Sequence, residues 1–173
     1  MAPNLMSWGR SSLLTRSNAV YNSVLWLHSW LRWAVLVAGA FACVRALRGY
    51  SGKRAWLPID ELWGFTFSIA LDVQFVVGLI LYLFLSPITK MAFQNMSTAM
   101  HIDTVRFFAV EHITAMIIGI GFVHMGRLKL RRTTDAVQKH RVALIYFGLA
   151  LLVIVAAIPW PILTPVVRPL FHP

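Results

Sequence analysis

The sequence predicts an all-α integral membrane protein, an antiparallel four-helix bundle with both termini on the outer, periplasmic side. Three observations carry this. Apolar residues make up 58% of the 173 and charged residues only 13%, with a mean hydropathy of +0.69, outside the range of a soluble domain. Four apolar stretches, at residues 24–44, 62–85, 105–125 and 142–160, each supply the roughly 20 residues a helix needs to cross a hydrocarbon core about 30 Å thick. A chain in lipid must satisfy its backbone hydrogen bonds internally, and the short alternating segments of a barrel are absent, so the spans read as helices.

Three regions follow: an N-terminal tail at 1–22, the bundle at 23–161, and a Pro-rich C-terminal tail at 162–173. The first 22 residues hold Arg10 and Arg16 without a separate apolar core, so the first span is expected to act as the insertion signal. The lone Cys43 implies neither a disulfide framework nor a thiolate metal site.

The net charge of +10 is concentrated in two connections. Arg45, Arg48, Lys53 and Arg54 follow the first span; Arg127, Lys129, Arg131, Arg132, Lys139 and Arg141 follow the third. The positive-inside bias places that face in the cytoplasm, in a bacterial inner membrane, where these residues meet anionic lipid headgroups. No aromatic-interleaved basic surface accompanies the charge, so no nucleic-acid partner is expected.

On the first helix, His28, Arg32, Val35, Gly39 and Ala42 share one stripe at 100° per residue. The second helix carries Asp72 near its middle, with Gln74 close by. Asp72 is a candidate to carry a proton or touch a quinone headgroup; its bland alternative is a protonated hydrogen-bond donor between helices. The connection after it holds Met91, Met96, Met100 and His101, which suit copper(I) or, with Phe93, the apolar face of an interfacial helix. On the third helix, His112, Ala115, Gly119, Val123 and Gly126 share a stripe. The small residues Gly39 and Gly119 allow either close helix packing or room for a flat macrocycle. The fourth helix enters through His140, flanked by Lys139 and Arg141 and expected at the solvated surface, and leaves through the proline-rich AAIPWP.

Intramembrane histidines are functional candidates because a neutral imidazole in hydrocarbon needs a partner. His28 lies four residues past Val24 and His112 six past Arg106, roughly 6 and 9 Å into the bilayer from the same side. Matched depth is what a b-type haem iron with two axial imidazoles requires, with Arg32 placed to meet a propionate or Glu111. The competing readings are a cofactor-free His28–Arg32–Glu111–His112 network and a non-haem metal. A second haem has no ligands in register, since the corresponding positions hold Ala42 and Gly126; His124 could meet only His140.

The segments LHSWLRW and VEHITAMIIGIG, the KHR start of the fourth helix and the AAIPWP end resemble a group of small four-helix bacterial membrane proteins labelled "cytochrome B". The resemblance covers residues 24–161. It implies haem b, with His28 and His112 as ligands and Arg32 and Glu111 in support. The missing second histidine pair departs from better-known b-type cytochromes. The expected function is a single-haem electron carrier working with a quinone or a partner complex and not an independent enzyme. The alternatives are a non-catalytic accessory subunit of a respiratory or photosynthetic membrane complex, and a small proton-conducting or transport bundle built on Asp72, Glu111 and Arg32.

Overall fold

The computed structural model describes the backbone of residues 5–160 and the side chains of residues 18–160. The chain is all-α, and four of its helices are long and apolar enough to cross a membrane. The first, α1, runs Leu5–Ser51, and its apolar span is Asn18–Ser51. No proline interrupts the chain between Pro3 and Pro58, so nothing stops the helix from extending through most of the segment expected as a tail. It ends at Gly52 and at Lys53, which takes a positive φ of 45° while Arg54 N–H bonds back to the Gly49 carbonyl at 2.9 Å. This left-handed exit satisfies carbonyls of the last turn.

Helix α2 covers Pro58–Ile80, with Pro in its first turn, where a missing N–H costs nothing. Asp60 closes that turn by accepting from Leu57 N–H at 2.8 Å. The span continues through a π turn, Leu81–Leu85. Three short helices follow: α3 (Pro87–Gln94), α4 (Met96–Ala99) and α5 (Asp103–Arg106). Ser86 and Asn95 cap the first two through Thr89 N–H and Thr98 N–H. They bury Ala92, Ala99, Val105 and Ala109 together and expose Met91, Phe93, Met96 and Met100, the apolar face expected of an interfacial helix. A second π turn, Phe107–Glu111, joins α5 to α6 (His112–Arg132). Helix α7, Ala136–Ala156, starts six residues before the apolar stretch because Asp135 caps it through Gln138 N–H at 2.7 Å. The Pro-rich tail at 162–173 lies outside the described residues.

Around the bundle α1 packs on α2 and α7, and α6 packs on α7; the α2–α6 seam is the loosest. Helices gain no hydrophobic drive from leaving lipid, so small residues that admit close approach set the packing. Ala38, Ala42 and Ala46 form such a row on α1, buried with Phe67, Leu71, Val123 and Phe147. Phe67 and Phe147 meet edge to face, centroids 5.9 Å apart. A Cβ at Gly39 would stand 2.9 Å from the Phe67 ring, and one at Gly119 would stand 3.1 Å from Ile154. Both glycines therefore serve helix packing.

The basic end is tied by charge. Buried Asp60 accepts from Arg45 Nε at 2.7 Å, and Glu61 pairs with Arg127. Both acids sit in the first turn of α2, where the helix dipole also favours them. His140 departs from expectation. It is 1% exposed, under the Trp56 ring at 4.9 Å and directly against Gly49. Lys139 and Arg141 mark a charged helix surface, but the residue between them points inward on the 3.6-residue period.

Candidate functional site

The His28 and His112 rings meet inside the bundle, centroids 6.4 Å apart and planes at 74°. Their positions follow from local structure. His112 begins α6 directly after the π turn, and its N–H bonds to Phe107 O in the i→i+5 pattern. A π turn inserts an extra residue and so re-aims the side chains that follow it. Ala109 O within that turn accepts from the Tyr82 hydroxyl at 2.8 Å. Tyr82 itself lies in the other π turn, and its carbonyl accepts from Thr89 Oγ1 at 2.7 Å. The two irregular segments thus brace one another beside the histidines.

His112 Nδ1 donates to Ala157 O at 2.9 Å. Ala157 is the C-cap of α7, and its carbonyl is among those a helix end leaves without an intrahelical donor. Bonding there fixes the tautomer and leaves Nε2 with its lone pair. His28 is held from α2: Gln74 Nε2 donates to His28 O at 2.9 Å and lies 3.4 Å from His28 Nε2. A Cβ at Gly78 would stand 2.9 Å from His28 Cε1, so only glycine leaves this ring its place.

Two cavities adjoin the pair. One, of about 90 Å³, extends toward α2 and α3 and is lined by Tyr21, Phe75, Gly78, Tyr82 and Thr89 beside both histidines. The other, of about 70 Å³, extends toward α7 and is lined by Ser29, Arg32, Val35, Ile154 and Pro159 beside both histidines. Leu25, Leu71, Gln74, Phe108 and Met116 line both. The Gln74 side chain is buried, and its Oε1 has no hydrogen-bond donor among the described residues.

Two imidazoles match the axial donor set of a b-type haem, while the cavities beside them, of about 90 and 70 Å³, stay divided. A metal about 2 Å from each of two opposed imidazole nitrogens holds their ring centroids roughly 6 Å apart, close to the spacing found. No group of three or more His, Cys, Asp or Glu side chains among the described residues is placed to hold a bare metal ion; a haem brings its own equatorial nitrogens and needs only the axial two. Joining the two cavities into one slot requires these five shared side chains to part.

The other expected residues are placed as follows. Arg32 lines the second cavity, with its guanidinium 5.5 Å from the Trp33 ring. Glu111 faces outward, 49% exposed, and pairs with Arg106 at 2.8 Å, so the His28–Arg32–Glu111–His112 network does not assemble through it. Gly39 and Gly119 line neither cavity and pack against Phe67 and Ile154. Asp72 accepts from His124 Nε2 at 2.9 Å. His124 and His140 do not meet, for one faces α2 and the other lies against Gly49 of α1. Sequence reasoning missed Gly78, Tyr82 and Ala157. A glycine facing a histidine of another helix, and a carbonyl donated by a helix end, leave no mark in either local pattern.

No family model matches the chain, and no curated protein or solved structure matches it.

Proposed function

We propose that the protein is a single-haem, b-type membrane electron carrier, a multi-pass protein of the bacterial inner membrane. Its basic loops face the cytoplasm and its histidine end faces outward. The carrying observation is the His28–His112 pair at 6.4 Å, in which the His112 Nδ1 bond to Ala157 O leaves Nε2 with its lone pair.

His28 and His112 would hold the haem iron, and Arg32 in the second cavity would meet a propionate. The bound haem supplies one-electron redox chemistry. The chain's own work is to orient two imidazoles, keep one in the Nδ1–H tautomer, and exclude water with an apolar lining of Leu25, Leu71, Phe108 and Met116. In this reading the protein serves electron exchange between a quinone and a partner complex and not independent catalysis.

The test is a reduced-minus-oxidised absorption spectrum of protein expressed with ample haem, beside His28→Ala and His112→Ala. A b-type α-band in the wild type, lost in both variants, is expected. A folded wild type with no band sinks the haem reading.

A further inference from the structure

Gln74 and Gly78 stand one turn apart on α2 and so share the face turned toward His28. Gly78 makes room for the ring, while Gln74 sets a polar group against it. A buried amide is costly unless its atoms are paired, and the two ends of this one are treated differently. Nε2 donates to His28 O at 2.9 Å and lies 3.4 Å from His28 Nε2. Oε1 is buried with no donor among the described residues.

The contact with His28 O fixes which way the amide faces. Turned over, it would set Oε1 against a carbonyl oxygen at 2.9 Å, two acceptors with no proton between them. The nitrogen therefore faces His28, and an amide NH2 can only donate. One of its hydrogens serves His28 O, and the other is left for His28 Nε2. A ring N–H at that place would oppose an amide N–H, so Nε2 carries a lone pair and the ring proton sits on Nδ1. At 3.4 Å the bond itself is weak. Its effect is to exclude the other tautomer.

We infer that Gln74 is a positioning residue that sets the tautomer of His28, its amide standing as a placeholder on the nitrogen an iron would take. The unpaired Oε1 follows from that arrangement, because the amide cannot turn to satisfy it without withdrawing its donor from His28. His112 reaches the same tautomer by a different device, the Ala157 carbonyl on its Nδ1. One ring is set from its Nδ1 side and the other from its Nε2 side. The outcome is the same for both, an Nε2 without a proton. When His28 Nε2 is ligated, the Gln74 amide has to withdraw from it, and Gln74 is already among the side chains shared by the two cavities. The meaning for ligation rests on the haem reading; the tautomer does not.

The experiment is nitrogen-15 spectroscopy of the histidine rings in full-length, haem-free protein in lipid nanodiscs. Gln74→Leu is read beside the wild type, since Leu nearly keeps the volume and removes both donor and acceptor. Wild-type His28 is expected to be protonated at Nδ1 and bare at Nε2. In Gln74→Leu an Nε2-protonated form of His28 should appear, while His112, held by Ala157, does not change. Apparent haem affinity, titrated on the same preparations, should fall with the fraction of His28 that has left the Nδ1–H form, about two- to fivefold. A merely structural Gln74 would change stability and leave the ring proton where it is. Wild-type His28 protonated at Nε2, or a His28 tautomer that Gln74→Leu leaves unmoved, overturns the assignment. So does a tautomer that shifts while haem affinity stays constant. Where the Leu variant does not fold, Gln74→Met, flexible enough to fill the same space, carries the same comparison. A wild type that binds no haem sinks the haem reading alone, and the ring proton still decides the role of Gln74.

Discussion

His112 on α6 and Ala157 at the end of α7 are joined by a 2.9 Å hydrogen bond from an imidazole nitrogen to a backbone carbonyl. Neither partner could satisfy itself locally. The carbonyl has run out of helix, and the ring has been turned inward by the π turn before it. The bond makes one ring nitrogen a donor and the other an acceptor.

That assignment is directly measurable. Nitrogen-15 spectra of the ring in reconstituted, haem-free protein should show His112 protonated at Nδ1 and bare at Nε2. The opposite tautomer would remove the basis for axial ligation by this residue.

Gly78 governs the other ring. Gly78→Ala places a methyl group 2.9 Å from His28 Cε1, and the imidazole has to move. Ligand-orienting contacts are typically worth about 10- to 100-fold in metal affinity. We expect haem affinity to fall about tenfold by titration, with the helical circular dichroism unchanged.

Asp60 combines two tasks, closing the first turn of α2 and receiving Arg45. Loss of a cap costs about 1 kcal/mol, and Arg45 is one-third exposed, which limits what its unpaired charge adds. Asp60→Ala should lower stability by about 2 kcal/mol in reversible detergent unfolding. An unchanged midpoint would show that the loop holds without it.

Gly49 and His140 form a tight pair, the ring seated where a Cβ would stand. Gly49→Ala should cost about 1–3 kcal/mol through overpacking. In combination with His140→Ala that cost should shrink, giving a coupling of about 1 kcal/mol or more in a double-mutant cycle. Simple additivity would contradict the packing.

What the sequence disclosed depended on the scale of the signal. The four spans are carried by some twenty residues each, and the meeting of His28 with His112 follows from counting depth along two helices. His140 shows where counting fails: flanking charges suggested a wet surface, while the helical period and a glycine on a distant helix put the ring inside. Glu111 fails differently. Sequence adjacency to His112 turns it roughly 100° around the helix, and Arg106, five residues back, reaches it first. The Asp72–His124 contact joins residues 52 apart on helices that barely touch, so no local pattern could pair them.

The two ends of the bundle differ in how they resist separation. The basic end is riveted by Arg45–Asp60 and Glu61–Arg127. The histidine end is joined by neutral hydrogen bonds through Tyr82, Gln74 and Ala157. Such a body behaves as tongs do, with a fixed pivot and yielding jaws. Under the proposed haem reading, a flat guest between the rings would part only neutral contacts, while the pivot would keep its ion pairs.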